Sequence, residues 1–245
     1  MLSAVLAVTL SCFGVGAVLI ALAGRRASAA VRRQRWLKLA TYFAIVHVVL
    51  WGAWLGPPYP AAGAAAVLAA GAWELAGAVR RGAAWPASER MLAWAAYAAL
   101  ALGCLCSVWR LPSMTVAFLY LVVACFDGFS QAVGQLAGRR SLAPRVSPAK
   151  TVEGALGGAL AAPVVAVLLR PLADLSGTAA AVLGGAICLA ALAGDLAASW
   201  VKRRAGIKDF SALIPGHGGV LDRFDSFIGA GALVGPALVW MQEHA

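Results

Sequence analysis

Eight apolar stretches fill most of the chain, at residues 2–24, 37–55, 61–79, 91–109, 113–137, 152–169, 178–201 and 226–241. A helix that crosses a bilayer needs about 20 mainly apolar residues, and all but the short last stretch meet or approach that length. Strand-like alternation, a heptad seam and a repeat of 20–50 residues are absent. The pattern predicts an all-α polytopic integral membrane protein with about eight transmembrane helices. The fifth stretch carries Asp127 and Gln131, so its second half should face protein or water rather than lipid. Residues 2–24 lack a preceding cationic segment and run longer than the core of a secretory signal, so a retained helix is expected there. "GALGGAL", 154–160, has the small-xxx-small spacing that lets two helices approach closely in lipid.

The polar segments between these stretches alternate in charge. Segment 25–36 with the adjacent Lys38 carries six cations, and segments 80–90, 138–151 and 202–225 carry three, four and five. The intervening segments 56–60, 110–112 and 170–177 and the tail carry none, one, one and none. Excess Lys and Arg mark cytoplasmic loops, so both termini are expected on the non-cytoplasmic side. Composition agrees with a membrane location. The 245 residues are 62% hydrophobic and 12% charged, where a soluble domain typically carries about 25% charged residues. The net charge of +10 then reads as loop asymmetry, and nucleic acid is not an expected partner. The cysteines at 12, 104, 106, 125 and 188 lie in apolar runs. Only Cys104 and Cys106 are close in sequence, and no second pair completes a zinc site. Richness in Ala, Gly and Arg suggests a GC-rich bacterial genome, hence a bacterial inner (cytoplasmic) membrane. Residues 1–110 read as a generic helical bundle. Residues 111–245 read as the catalytic part, with cytoplasmic loops 138–151 and 202–225.

Charges within spans are few, and each raises a functional question. His47 reads as a core histidine, and Glu74 as a structural acid in reach of Arg80 or Arg81. Asp195, Ser199 and Lys202 stand at i, i+4 and i+7, on one helix face. In "DRFD", Asp222 and Asp225 stand at i and i+3 near a helix start. Converging carboxylates of this kind could hold Mg²⁺, which takes one or two carboxylates plus waters and substrate phosphates. Lys202, Arg203, Lys208 and Arg223 could clamp phosphates. The "PGHGG" turn surrounds His217 with Gly216, Gly218 and Gly219, a backbone suited to approach a phosphate. A second cluster, "RVSPAKTVEGALGG", offers Ser147, Lys150 and Thr151 ahead of a helix start with Glu153 in its first turn. These parts suit metal-assisted phosphoryl or nucleotidyl transfer, and no Ser-His-Asp or Cys-His nucleophile set accompanies them.

"SWVKRRAGIKDFSALIPGHGGVLDRFDS", Ser199 to Ser226, closely resembles the signature of the phosphatidate cytidylyltransferases, also called CDP-diacylglycerol synthases. Ser199, Lys202, Arg203, Lys208, Asp209, Pro215, Gly216, His217, Gly218, Gly219, Asp222, Arg223 and Asp225 meet the fixed positions of that pattern. "SPAKTVEG" at 147–154 and "GD" at 194–195 resemble further parts of it. The resemblance covers roughly residues 124–230. One departure is "FDGFSQAVGQLAG", in which Ser130-Gln131 replaces the small-aromatic pair that follows the aspartate in many members; Asp127 and Gly134 still align. The resemblance implies a Mg²⁺-dependent conversion of CTP and phosphatidate to CDP-diacylglycerol and pyrophosphate, for phospholipid biosynthesis. On chemistry, Asp195 and Asp222 are first choice for metal, with Asp225 and Asp127 behind them. The catalytic set is Asp195, Lys202, Asp222 and Asp225. Substrate would be held by Asp127, Ser147, Lys150, Thr151, Ser199, Arg203, Lys208, Asp209, the Gly216–Gly219 turn and Arg223. A homodimer is left open. Two other readings stand beside this one. The first is a CTP-dependent enzyme on another lipid, a polyprenol kinase or another lipid-phosphate cytidylyltransferase. The second is a non-enzymatic transporter or scaffold with a lipid-binding basic face. The paired pattern of the CDP-alcohol phosphatidyltransferases is absent.

Overall fold

The computed structural model of the protein describes residues 2–24, 28–82 and 85–244. Among the described residues the chain forms nine α-helices and one short hairpin: α1 (Leu2–Gly24), α2 (Ala29–Leu55), α3 (Tyr59–Arg81), α4 (Ala87–Arg110), α5 (Ser113–Ala137), β1 (Ser141–Ala143), β2 (Ser147–Thr151), α6 (Val152–Leu169), α7 (Gly177–Arg204), α8 (Leu221–Leu233) and α9 (Gly235–Glu243). A 3₁₀ turn, Arg170–Leu172, follows α6.

Helices α2 to α7 are long and apolar enough to cross a membrane. The pair α8 and α9 bends by 46° and raises the number from six to seven if counted as one span. Pro236 in the first turn of α9 explains the break, because its ring cannot continue the preceding helix. Among the described residues, six or seven helices meet this length and composition, against the eight spans expected. In α1 the apolar helix extends over Val5–Val18. Val182, Leu160 and Leu189 are 74%, 75% and 73% exposed, which in water would be an aggregation hazard and in lipid is an ordinary outer face.

Helix α2 begins well before the expected residue 37. Ser28 caps it, its hydroxyl accepting the Val31 N–H at 3.4 Å, so Arg32, Arg33, Arg35 and Lys38 ride on a helix rather than in a loop. Arg25 and Arg26, counted in the same basic segment, lie outside the described residues. Likewise Lys202, Arg203 and Arg204 form the last turn of α7, where cations complement the helix dipole.

Helix α5 is the axis of the bundle, with every residue from Thr115 to Ala124 buried. Its second half lies against the glycines of "GALGGAL". A Cβ at Gly158 would stand 2.7 Å from the Phe126 carbonyl oxygen, and one at Gly157 would meet Val133. Ser130 belongs to this seam. Its hydroxyl is buried without a hydrogen-bond partner, directly facing Gly158, while Gln131 is exposed. The departure at Ser130-Gln131 thus falls largely on helix packing.

A second close crossing fixes the site. Helices α7 and α8 meet backbone to backbone at Gly194 and Gly229, where a Cβ on Gly229 would stand 2.8 Å from the Gly194 Cα. A Cβ on Gly194 would collide with the Asp225 carbonyl. Gly194, next to Asp195 in the chain, therefore lies against the Asp225 backbone because neither Gly194 nor Gly229 carries a side chain. Gly194→Ala should destabilise the protein by about 1–3 kcal/mol through overpacking. It should also lower turnover by separating the two helices, as measured by thermal melting in detergent alongside activity.

Candidate active site

Helix α7 delivers Asp195, Ser199 and Lys202 on one face, as the spacing requires. The Ser199 hydroxyl donates to Asp195 Oδ1 at 3.3 Å, and Lys150, from β2, forms an ion pair with the same carboxylate. One turn further on, Lys202 Nζ donates to Asp222 Oδ1 at 2.6 Å. This pair is buried, with side chains 11% and 2% exposed. Asp222 Oδ2 accepts the backbone N–H groups of Phe210, at 2.8 Å, and Gly219, at 2.9 Å. Three donors thus fix one carboxylate, and the Lys202 ammonium also lies 5.4 Å from the centre of the Phe210 ring.

Glu74 completes the scaffold from the N-terminal half. It is 1% exposed. Its Oε1 accepts the Ser211 hydroxyl at 2.6 Å and the Val220 N–H at 2.9 Å, and Oε2 accepts the Leu221 N–H at 2.7 Å. An acid at a helix N-terminus satisfies N–H groups that have no partner within the helix. Glu74 is structural, but its partners are the start of α8 rather than Arg80 or Arg81. Arg81 instead donates to the Phe210 carbonyl at 2.8 Å.

The glycine turn is drawn tight by these contacts. Gly218 adopts φ +81°, and a Cβ there would stand 2.8 Å from Asp222 Oδ2 and 3.1 Å from Asp209 Cβ. The His217 N–H donates to the Ile214 carbonyl. With Gly219, Val220 and Leu221 also engaged, much of the turn's N–H set has internal partners. His217 is held down to about 4 by burial first, then by the charges of Arg223 and Lys38, so its imidazole is neutral at pH 7.

The hairpin of β1 and β2 forms the opposite wall. Thr151 caps α6, its hydroxyl accepting the Gly154 N–H at 3.1 Å, and Glu153 receives the N–H groups of Arg139 and Arg140 at 3.0 and 3.1 Å. Arg203 Nε donates to the Val146 carbonyl at 3.0 Å, tying the hairpin to α7. The Lys150 ammonium is pushed below its ordinary value by burial, an effect opposed by Asp127 and Asp225 and reinforced by Lys202 and Arg223. Asp127 accepts the Ser226 hydroxyl at 3.3 Å, and the Asp225 carboxylate accepts the Ser226 N–H at 2.8 Å.

The predicted residues therefore divide. Asp127, Lys150, Asp195, Ser199, Lys202, Asp222, Arg223 and Asp225 converge. Thr151 and Arg203 are engaged in holding the hairpin. Lys208 and Asp209 are exposed, and Ser147 pairs through β2 with Ala143. Glu74 acts on the site from outside every motif. Lys38 and Tyr42 approach it too: a Cβ at Gly216 would meet Lys38 Cγ at 3.3 Å, and the Tyr42 and His217 rings stack with centroids 6.2 Å apart.

Among the described residues, no group of three or more His, Cys, Asp or Glu side chains is placed to hold a metal by itself. The donor set nonetheless fits Mg²⁺, which is content with one or two carboxylates when water and substrate oxygens supply the rest. The Lys150 cation already rests on Asp195, within electrostatic reach of Asp127 and Asp225. Beside the polar cluster lies an apolar cavity of about 360 Å³, lined by Leu75, Leu92, Ala96, Tyr97, Leu100 and Ile228, with Asp225 at its edge.

Buried carboxylates and paired lysines, beside an apolar cavity and within a bundle of membrane-length helices, are the site of an all-helical integral membrane protein. The chain belongs to the cytidylyltransferase family, whose model it matches over residues 8–239. It is 42% identical over 156 residues to a phosphatidate cytidylyltransferase of Brucella abortus, covering 63% of this chain and 57% of that protein. It is 40% identical over 119 residues to the Haemophilus influenzae phosphatidate cytidylyltransferase, 46% of this chain and 41% of that one. With the Staphylococcus epidermidis phosphatidate cytidylyltransferase it shares 39% over 115 residues, 46% and 44% of the two chains. The matched stretch thus spans little more than half of the Brucella protein's length.

Proposed function

We propose that the protein is a phosphatidate cytidylyltransferase, making CDP-diacylglycerol and pyrophosphate from CTP and phosphatidate. The observation that carries this reading is the buried Lys202–Asp222 pair together with the Lys150–Asp195 pair, whose lysine lies within electrostatic reach of Lys202. It sets two lysines and two carboxylates from three separate elements around one polar centre that adjoins an apolar cavity. The first part suits a triphosphate, and the second an acyl chain. Similarity to proteins named for this activity supports it.

In the reaction a phosphate oxygen of phosphatidate attacks the α-phosphorus of CTP. A P–O bond forms there, the α–β bridging P–O bond breaks, and pyrophosphate leaves. The attacking oxygen is already ionised, so no general base is needed. Asp195 and Asp222 would hold Mg²⁺, with Asp225 and Asp127 close by. When bound, Mg²⁺ would neutralise triphosphate charge and the charge developing on the leaving group. Of the two first-choice carboxylates, Asp195 is the more adaptable, because Asp222 already accepts three donors and has about one acceptor position left. Asp222 also holds the Lys202 ammonium in one place, so its charge acts without reorganisation. Lys150 and Arg223 supply further positive charge. Ser147, Ser199 and the Gly216–Gly219 turn would contact substrate, and the exposed Lys208 and Asp209 would meet it from solvent.

The basic ends of α2 and α7 and the basic hairpin point to a cytoplasmic site, with both termini on the other side of a bacterial inner membrane. A homodimer is compatible with the broad apolar exterior. The test is detergent-solubilised protein incubated with labelled CTP, phosphatidate and Mg²⁺, the lipid product being identified by mass. CDP-diacylglycerol that disappears with a chelator and returns with Mg²⁺ is the expected result. Lipid phosphate with CDP would establish a kinase instead, and lipid binding without CTP turnover a non-enzymatic role.

A further inference from the structure

The N-terminal half enters the polar centre at one further place, where α2 lies along the Pro215–Gly219 turn. The Thr41 hydroxyl donates to the Pro215 carbonyl at 3.4 Å. The Tyr42 ring lies 24° from the plane of His217, and its hydroxyl, donating to the Ala124 carbonyl at 3.2 Å, ties α2 to α5. Gly216, at φ +76°, leaves room for the Lys38 stem to cross it. Two buried nitrogens here, His217 Nδ1 and Arg223 Nε, have no hydrogen-bond partner among the described residues. Buried guanidinium N–H groups seldom lack partners, and one left without a partner is costly to the fold. Neither Arg223 nor Lys38 forms an ion pair among the described residues. Asp127 and Asp225 feel the charge of Arg223 without touching it.

Two cations and an imidazole, with His217 and Arg223 carrying buried unmet hydrogen-bonding capacity, call for an anion with several oxygens. We propose that Lys38, His217 and Arg223 form a phosphate subsite and that Lys38, outside every signature position, is a substrate-binding residue contributed by the N-terminal bundle. This rests on the reading of the centre as a nucleotidyl-transfer site. The occupant is a phosphate group, either the terminal phosphates of the nucleotide or the monoester headgroup of the lipid. Neutral His217 would give or take a single hydrogen bond, while Arg223 and Lys38 supply the charge.

The test compares the full-length protein with Lys38→Gln and Lys38→Arg. Binding of inorganic pyrophosphate and, separately, of phosphatidate in mixed micelles is followed by tryptophan fluorescence without turnover. Lys38→Gln should weaken one of the two by at least about tenfold while Lys38→Arg stays within about threefold of the parent, as expected for loss of a charge-assisted contact. Loss in the pyrophosphate arm assigns the subsite to the nucleotide, and loss in the phosphatidate arm assigns it to the headgroup. Both arms unchanged in Lys38→Gln would overturn the proposal, whatever happens to kcat. Because binding is read directly, a parent protein that binds pyrophosphate yet makes no CDP-lipid would sink the proposed reaction and leave the subsite standing.

Discussion

Asp222→Asn is expected to abolish CDP-lipid formation, with kcat/KM falling by at least about 10²-fold, close to 3 kcal/mol of transition-state stabilisation. The substitution keeps the shape and removes the charge opposite Lys202. Removing one partner of a buried ion pair costs about 3–5 kcal/mol, because the other charge stays behind uncompensated. The second oxygen matters as well. Asp222 Oδ2 accepts two backbone N–H groups, and an amide NH₂ turned toward them would set donors against donors. Lys202 would then lose its fixed position while Phe210 and Gly219 lose their anchor. Melting in detergent separates loss of chemistry from loss of fold. Full turnover in a folded Asp222→Asn protein would remove Asp222 from the catalytic set.

The second large effect is expected from a residue no motif marks. Glu74→Ala should lower the melting midpoint sharply, by the equivalent of about 3 kcal/mol or more, because one hydroxyl and two N–H donors lose their acceptor in a buried place. Glu74→Gln, which keeps one acceptor oxygen and the volume, should cost less. Turnover should fall in both, since the start of α8 carries Asp222 in its first turn. Gly219 is part of the same fit: a Cβ there would stand 2.6 Å from Glu74 Oε2. An alanine variant that melts with the parent and turns over normally would show that the clasp does nothing.

The sequence was most legible where hydropathy and capping agree. Helices α5 and α6 begin and end where expected, bounded by Pro112 and Gly138 and by the Thr151 cap. Hydropathy fails where a helix continues past the apolar zone, as with Arg32, Arg33 and Arg35 on α2 and Lys202 to Arg204 on α7. Those residues form good helix but poor membrane, so counting apolar runs assigns them to loops. The hairpin of β1 and β2 is too short for alternation to register, and Pro148 within β2 argues against a strand. The i, i+4, i+7 face of α7 and the Asp222 helix start were readable because both are local. Glu74, Lys38 and Tyr42 were not, since each reaches the centre from a distant part of the chain. Thr151 and Arg203 look like ligands by type, and only tertiary contacts reveal that they hold the hairpin.

The Glu74 clasp also has a meaning for how the protein is made. Its backbone contacts join positions 146 and 147 residues apart. During synthesis, therefore, α3 must enter the membrane long before α8 exists. Throughout the insertion of α4 to α7 a carboxylate waits in an apolar helix without the groups that will receive it. The polar centre closes only when the last helices arrive, so an incomplete chain has no finished pocket to expose to nucleotide.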